Sequence, residues 1–126
     1  MAQTNKQRIG RWGEAVAMYY LEQRGYRVIA RNVRTGRGEI DLIACHESGV
    51  LVFVEVKTRT NEHFGLPEEA VDARKLEHLF RAAEAYLLES SEHAGKDWRI
   101  DVIAIQGKPG AKVADVHIEH FENISA

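Results

Sequence analysis

The chain contains 126 residues, a length typical of one domain. Hydrophobic residues make up 44% and charged residues 29% of it, so the composition excludes disordered and low-complexity proteins. No apolar run approaches the roughly 18 residues that a membrane-spanning helix needs, and we expect no membrane partner. The net charge is only −2, yet residues 1–38 hold eight Lys or Arg and two Glu. This positive excess predicts an anionic partner for one face of the protein.

The cysteine content and the amino terminus bear on the location of the protein. Cys45 is the only cysteine, so it forms neither an internal disulfide nor a cysteine zinc cluster. The first six residues, MAQTNK, contain no apolar signal core. Both observations favour a reducing cytoplasm.

The first predicted element is a helix over residues 5–24. Thr4 or Asn5 could cap its start, and Gly25 stands where a left-handed residue would end it. Its apolar residues recur at helical spacing and form one stripe, which consists of Ile9, Trp12, Gly13, Val16 and Tyr20.

Strands are predicted next over residues 26–32, 39–45 and 50–58, with a loop at 33–38. The third strand is apolar until Glu55, which predicts a central strand covered on both faces.

The second half of the chain is predicted to contain a helix and two more strands. The helix starts at Pro67 and runs to residue 90, and the strands cover residues 98–106 and 112–121, the last at the sheet edge. The order αβββαββ predicts a mixed sheet with a helix on each side.

Three charged residues interrupt the apolar strands, namely Asp41, Glu55 and Lys57. Charges in covered strands are costly unless they are paired or bind a metal. Because side chains alternate along a strand, Glu55 and Lys57 share a face, and pairing of the second and third strands would bring Asp41 close to Glu55. Two neighbouring carboxylates repel each other and favour binding of a hard divalent cation, for which Mg²⁺ is the natural choice.

A divalent cation at this position could polarise a phosphate and lower the pKa of a bound water, while Lys57 orients the nucleophile or stabilises the transition state. The structural alternative is an ion pair between Glu55 and Lys57. Glu14 on the first helix is a third acid, whose structural alternative is a cap or a pair with Arg11.

The segments GEIDLIA at residues 38–44 and VFVEVKTR at residues 52–59 resemble the core of the PD-(D/E)XK nuclease superfamily. Three further segments narrow the resemblance to the YraN-like family of uncharacterised bacterial proteins, which is similar to archaeal Holliday junction resolvases. These segments are GRWGEA at 10–15, GYRVIARNVR at 25–34, and PEEAV at 67–71 leading to Lys75.

The resemblance implies one endonuclease-like domain over residues 1–126, with the restriction-endonuclease-like three-layer fold, an α/β architecture. That fold has a mixed central sheet flanked by helices, here an αβββαβ core plus a carboxyl-terminal strand. The resemblance also implies that Asp41, Glu55 and the backbone carbonyl of Val56 ligate the metal, that Lys57 is catalytic, and that Glu14 helps to bind metal. Residues Glu39 and Ile40 precede Asp41 where the superfamily name has proline, and the acid is intact.

Basic residues around the proposed site are candidate nucleic-acid contacts. Arg34, Arg37 and Arg59 flank the site in sequence and are predicted on loops, where they could bind phosphates bidentately. Lys75 lies at the edge of the apolar stripe of its helix and could face the cleft, and Arg11 completes the predicted set.

Three other polar residues in the last strands are interpreted as structural. Asp101 is predicted to partner an arginine, and His117 and His120 are predicted at the surface, on opposite faces of their strand.

The first functional hypothesis is a Mg²⁺- or Mn²⁺-dependent nuclease that hydrolyses phosphodiester bonds in DNA, with branched or junction DNA as the substrate that the resemblance suggests. Because junction resolvases need two active sites, the resemblance is compatible with a homodimer. The alternative is a non-catalytic nucleic-acid-binding or scaffold domain that retains the site as an ion cluster. A small-molecule phosphohydrolase is a third class, against which the long basic face argues.

Overall fold

The computed structural model describes residues 3–60 and 73–124. Within these residues the regular elements are two α-helices, five strands and two short 3₁₀ turns. In chain order they are α1 (Asn5–Glu22), β1 (Tyr26–Thr35), β2 (Gly38–His46), β3 (Leu51–Arg59), α2 (Ala73–Glu89), a 3₁₀ turn (Ser91–His93), β4 (Trp98–Gln106), a 3₁₀ turn (Val113–Asp115) and β5 (His117–Phe121).

The five strands form one mixed sheet in the order β1-β2-β3-β4-β5. Strands β3 and β4 run parallel, and every other neighbouring pair is antiparallel. Helix α2 lies in the connection between the parallel strands, because a parallel pair requires a long crossover. The predicted mixed sheet, with its last strand at an edge, is confirmed.

Alternation along β3 builds two core layers. Val52 and Val54 pack in a cluster with α1, whereas Leu51 and Phe53 pack in a cluster with α2. All four side chains are fully buried. The sheet is therefore the middle layer between two helices, which confirms the predicted architecture and the central, doubly covered position of this strand.

Some element boundaries differ from the prediction where glycine and polar residues suggested a loop. Strand β1 continues to Thr35, because its last residues pair with the first residues of β2, so the predicted loop at 33–38 is only a tight turn. The last strand begins at His117 instead of residue 112, because the preceding residues form a 3₁₀ turn.

The helices follow the predicted positions. Helix α1 is capped by Thr4, whose hydroxyl accepts from the Gln7 N–H, and Gly25 after its end has a left-handed φ of 84°. The predicted start of the second helix, Pro67, lies outside the described residues. Neither helix of the described part of the chain is long and apolar enough to span a membrane.

A buried polar network lies at the last two strands. Asp101 is fully buried and accepts hydrogen bonds from Arg99 Nε at 3.0 Å and from the Asn123 N–H at 2.9 Å. The prediction that Asp101 partners an arginine is confirmed. The surface prediction for His120 is wrong, since its side chain is 7% exposed and its Nε2 lies 2.7 Å from Asp101 Oδ2. The exposed position of His117 is as predicted.

Candidate active site

A cleft of about 730 Å³ opens at the carboxyl end of β3. Its walls are the amino-terminal half of α1, the last residues of β3, Asp41 of β2 and Lys75 in the first turn of α2. Ligands of open α/β sheets bind outside the carboxyl ends of the parallel strands, and β3 is one of the two parallel strands here. The position of the cleft therefore makes it the candidate functional site.

Asp41 and Glu55 meet in this cleft because the β2–β3 ladder ends beside them. The last antiparallel pair is Leu42 with Val54, so the next positions in the same register are Asp41 and Glu55. The strands do not pair there. The Val56 N–H instead donates to Asp41 Oδ2 at 2.9 Å, so the side chain of Asp41 takes the place of a ladder bond.

The backbone of β2 is also irregular at Asp41. Ile40 packs in the cluster on the α2 face, whereas Leu42 packs in the cluster on the α1 face. Residues two apart in a regular strand share a face, so the alternation is broken at the residue between them. This break turns Asp41 towards the end of β3.

The two carboxylates perturb each other strongly. Burial raises the pKa of Asp41 to about 7, and the nearby charges of Glu55 and Glu14 add to the increase, against the opposing hydrogen bond from the Val56 N–H. Acids this close cannot all ionise without a cation to neutralise them.

Lys57 and Lys75 both approach Glu55. The Nζ atoms of Lys75 and Lys57 lie 2.9 and 3.5 Å from the same oxygen, Oε1 of Glu55, whose side chain is 8% exposed. Burial, together with the neighbouring Lys75 ammonium, lowers the pKa of Lys57. Burial works against the charge of Lys75 as well, but its hydrogen bonds to Glu55 and Lys57 prevail and raise its pKa. Lys75 is thus the main counter-charge of Glu55.

Glu14 reaches the cleft because α1 packs directly on the end of β3. A Cβ atom at Gly13 would collide with Thr58 Oγ1, so only glycine permits this close approach. Burial raises the pKa of Glu14, a hydrogen bond with the Asn32 side chain opposes the increase, and Arg11 acts only as a weaker, longer-range attraction. The predicted pair with Arg11 is absent from the ion pairs of the described residues.

The predicted basic contacts separate into two groups. Arg59 and Lys75 line the cleft, but Arg59 belongs to β3 and not to a loop. Arg11, Arg34 and Arg37 are exposed and do not line it. Arg34 was predicted on a loop, yet it lies on β1, where its Nε is 3.6 Å from Glu39 Oε2. A role of these arginines in DNA binding stays a prediction.

Two residues of the site were missed in the sequence. Lys6 lines the cleft with Gly10 and Glu14. The i, i+4 spacing of these three residues would have identified it. Asn32, the partner of Glu14, carried no signal, because its left-handed backbone inside a strand depends on the folded environment.

The residues present fit a divalent metal ion by their chemistry. Asp41 and Glu55 are hard oxygen donors that raise each other's proton affinity, and Val56 continues the same wall. Over residues 3–60 and 73–124, no three Asp, Glu, His or Cys side chains are already grouped around one point. The pair would therefore hold an ion that keeps several waters, as Mg²⁺ does.

Comparison with known proteins places the chain among relatives of similar length. A UPF0102 protein of Caldanaerobacter subterraneus is 41% identical over 123 residues, which cover 98% of both chains. A UPF0102 protein of Roseiflexus castenholzii is 42% identical over 114 residues, which cover 90% of both chains.

A solved structure described as a repair endonuclease from Pyrococcus abyssi has a similar fold, with a TM-score of 0.50 at 16% identity. The match covers 87% of this chain but only 41% of that one. The family model described as "Uncharacterised protein family UPF0102" matches residues 13–105. The chain therefore belongs to the UPF0102, or YraN-like, family that its motifs resemble.

Proposed function

We propose that this protein is a divalent-metal-dependent nuclease that hydrolyses phosphodiester bonds in DNA. The observation that carries the proposal is the meeting of Asp41 and Glu55, with Lys57 beside them, in an open cleft at the carboxyl end of β3. The fold shared with a repair endonuclease supports it. Asp41, Glu55 and the Val56 carbonyl would hold Mg²⁺ or Mn²⁺, with Glu14 as a further acid.

The bound ion would polarise the scissile phosphate and lower the pKa of a water. The water oxygen forms a bond to phosphorus and loses one proton. The ester P–O bond breaks, and the leaving oxygen gains a proton, so the products are a phosphomonoester and a free hydroxyl.

The lysines of the cleft have separate tasks in this scheme. Lys57 is half-buried and its pKa is lowered, so it can orient the attacking water and accept or share its proton. Lys75 carries its charge firmly and neutralises Glu55 before the ion binds. Lys6 and Arg59 lie on the walls, where cations bind the phosphates that flank the cut. The exposed Arg11, Arg34 and Arg37 would extend this contact along the strand.

Cleavage of labelled DNA in Mg²⁺ and Mn²⁺ tests the proposal, with single-stranded, duplex and four-way-junction substrates in parallel. We expect Asp41→Asn and Lys57→Ala to abolish cleavage while the protein stays folded. Asp115→Asn and Lys112→Ala, which make the same changes at exposed positions, should cleave like the wild type. Cleavage that survives Asp41→Asn, or a wild type that cuts none of these substrates, would overturn it.

The ion cluster itself favours a second candidate, a non-catalytic nucleic-acid-binding domain. Lys75 and Lys57 already neutralise Glu55 without any metal, which is also how a structural cluster would look. A wild type that binds DNA with a steep salt dependence, and cuts no form of it with either metal, supports this candidate. A homodimer would supply the second active site needed to cut both strands of a junction, and light scattering measures that mass directly.

A further inference from the structure

Asn32 has an unusual backbone for its position. Over the described residues only Asn32 and Asn123 are non-glycine residues with positive φ, at 51° and 54°. Asn123 follows the last strand, whereas Asn32 lies inside β1. A left-handed residue inside a strand is strained and persists only when its surroundings require it.

Asn32 lies directly across from Asp41. Arg31 pairs with Leu42, and Val33 pairs with Ile40, so the register places Asn32 opposite Asp41. This is the same residue of β2 at which the facial alternation breaks and the ladder to β3 ends. The backbone irregularities of β1 and β2 therefore coincide at the cleft.

The side chain of Asn32 joins β1 to the acid on α1. It forms a hydrogen bond with Glu14, in which the amide donates to the carboxylate. Helix α1 brings Glu14 to the cleft, but the contact of Gly13 with Thr58 fixes only the backbone of the helix. The amide of Asn32 is the group that restrains the carboxylate itself.

We propose that Asn32 is a positioning residue, which uses its left-handed backbone to aim an amide at Glu14 and thereby strengthens divalent-cation binding in the cleft. The inference rests on the proposed function, because it requires that the cleft binds a metal. Groups that orient metal-binding carboxylates commonly change metal affinity by about 10- to 100-fold when they are removed.

A purely structural role for Asn32 makes a different prediction. Strand β1 is an edge strand, and irregularities in edge strands prevent pairing with other chains. β1 already has a register shift between Val28 and Ala30. If Asn32 serves only the edge, its side chain is dispensable, and glycine, which adopts the same backbone without steric cost, should replace it silently.

The test compares Asn32→Gly with Asn123→Gly, since both remove an asparagine side chain from a left-handed residue. Mn²⁺ binding is measured by electron paramagnetic resonance in the full chain, with melting temperature as the control for folding. We expect Asn32→Gly to weaken Mn²⁺ binding by about tenfold or more, with melting within about 2 °C of the wild type. Asn123→Gly should bind Mn²⁺ like the wild type.

A second measurement needs no metal. In the metal-free protein, the side-chain amide NMR signals of Asn32 should shift in Glu14→Gln and stay unchanged in Glu22→Gln, an exposed acid of the same helix. Equal Mn²⁺ affinity in Asn32→Gly and the wild type, or amide signals that ignore Glu14→Gln, would overturn this inference alone. A wild type that binds no Mn²⁺ would overturn the proposed function and this inference with it.

Discussion

The close packing of α1 on β3 predicts opposite effects for two glycine substitutions in one helix. A Cβ at Gly10 meets nothing within 4 Å, so Gly10→Ala should simply gain the helix propensity of alanine, about 1 kcal/mol. A Cβ at Gly13 collides with Thr58, whose own Cβ and Cγ2 would lie 3.0 and 3.1 Å away. Overpacking of this kind costs about 3 kcal/mol, so Gly13→Ala should lose about 2 kcal/mol net.

These energies convert into measurable melting temperatures. Unfolding entropy is about 2.1 cal/mol/K per residue, so for 126 residues 1 kcal/mol shifts melting by about 4 °C. We expect Gly10→Ala to melt about 4 °C above the wild type and Gly13→Ala about 8 °C below it, measured by circular dichroism. Gly13→Ala should also weaken Mn²⁺ binding, because a displaced helix moves Glu14.

A double-mutant cycle identifies the cause. Thr58→Ala removes the two Thr58 side-chain atoms beyond Cβ that the new methyl would meet. The double variant should therefore be more stable than the sum of the single effects, by about 1 kcal/mol. Equal melting of Gly13→Ala and Gly10→Ala would refute the direct contact between α1 and β3.

Three other predictions concern the buried charges. Arg99→Ala leaves Asp101 buried without its arginine and should cost about 3 kcal/mol in urea unfolding, whereas Glu122→Gln, at the exposed end of the same network, should cost under about 0.5 kcal/mol. The raised pKa of Asp41 means that the folded state holds a proton that the unfolded state releases, so metal-free stability should fall as the pH rises from about 4 to about 7. Asp41→Asn should remove most of this fall, and a wild-type stability that is flat or rises over the same range in EDTA contradicts it. Lys57→Ala should lower the cleavage rate by about 100-fold or more with Mn²⁺ affinity retained, and loss of Mn²⁺ binding would show that Lys57 acts on the site's structure instead.

The meeting of Asp41 and Glu55 could be anticipated because it depends on local rules. A short turn at residues 47–49 joins two apolar strands, and antiparallel pairing across it sets which residues face each other. Lys57 then follows from alternation along one strand. The layer order could also be anticipated, since an apolar central strand needs cover on both faces and the helices carry apolar stripes.

Other parts of the site depend on contacts between elements distant in sequence. The left-handed backbone of Asn32, and the end of the ladder at Leu42, arise where β1, β2 and α1 meet, and no local pattern encodes that meeting. His120 was assigned to the surface because strand alternation says nothing about what lies beneath an edge strand, here the buried Asp101. Residues 33–35 looked like a loop because their pairing with β2 outweighs their weak strand propensity.

Anomalous diffraction from crystals soaked in Mn²⁺ tests the central claim most directly. We expect a peak between Asp41 and Glu55, about 2.0–2.2 Å from an oxygen of each, with the Lys75 ammonium displaced from Glu55 Oε1. Crystals that show no peak there at saturating Mn²⁺, with Lys75 still bound to Glu55, would contradict the account.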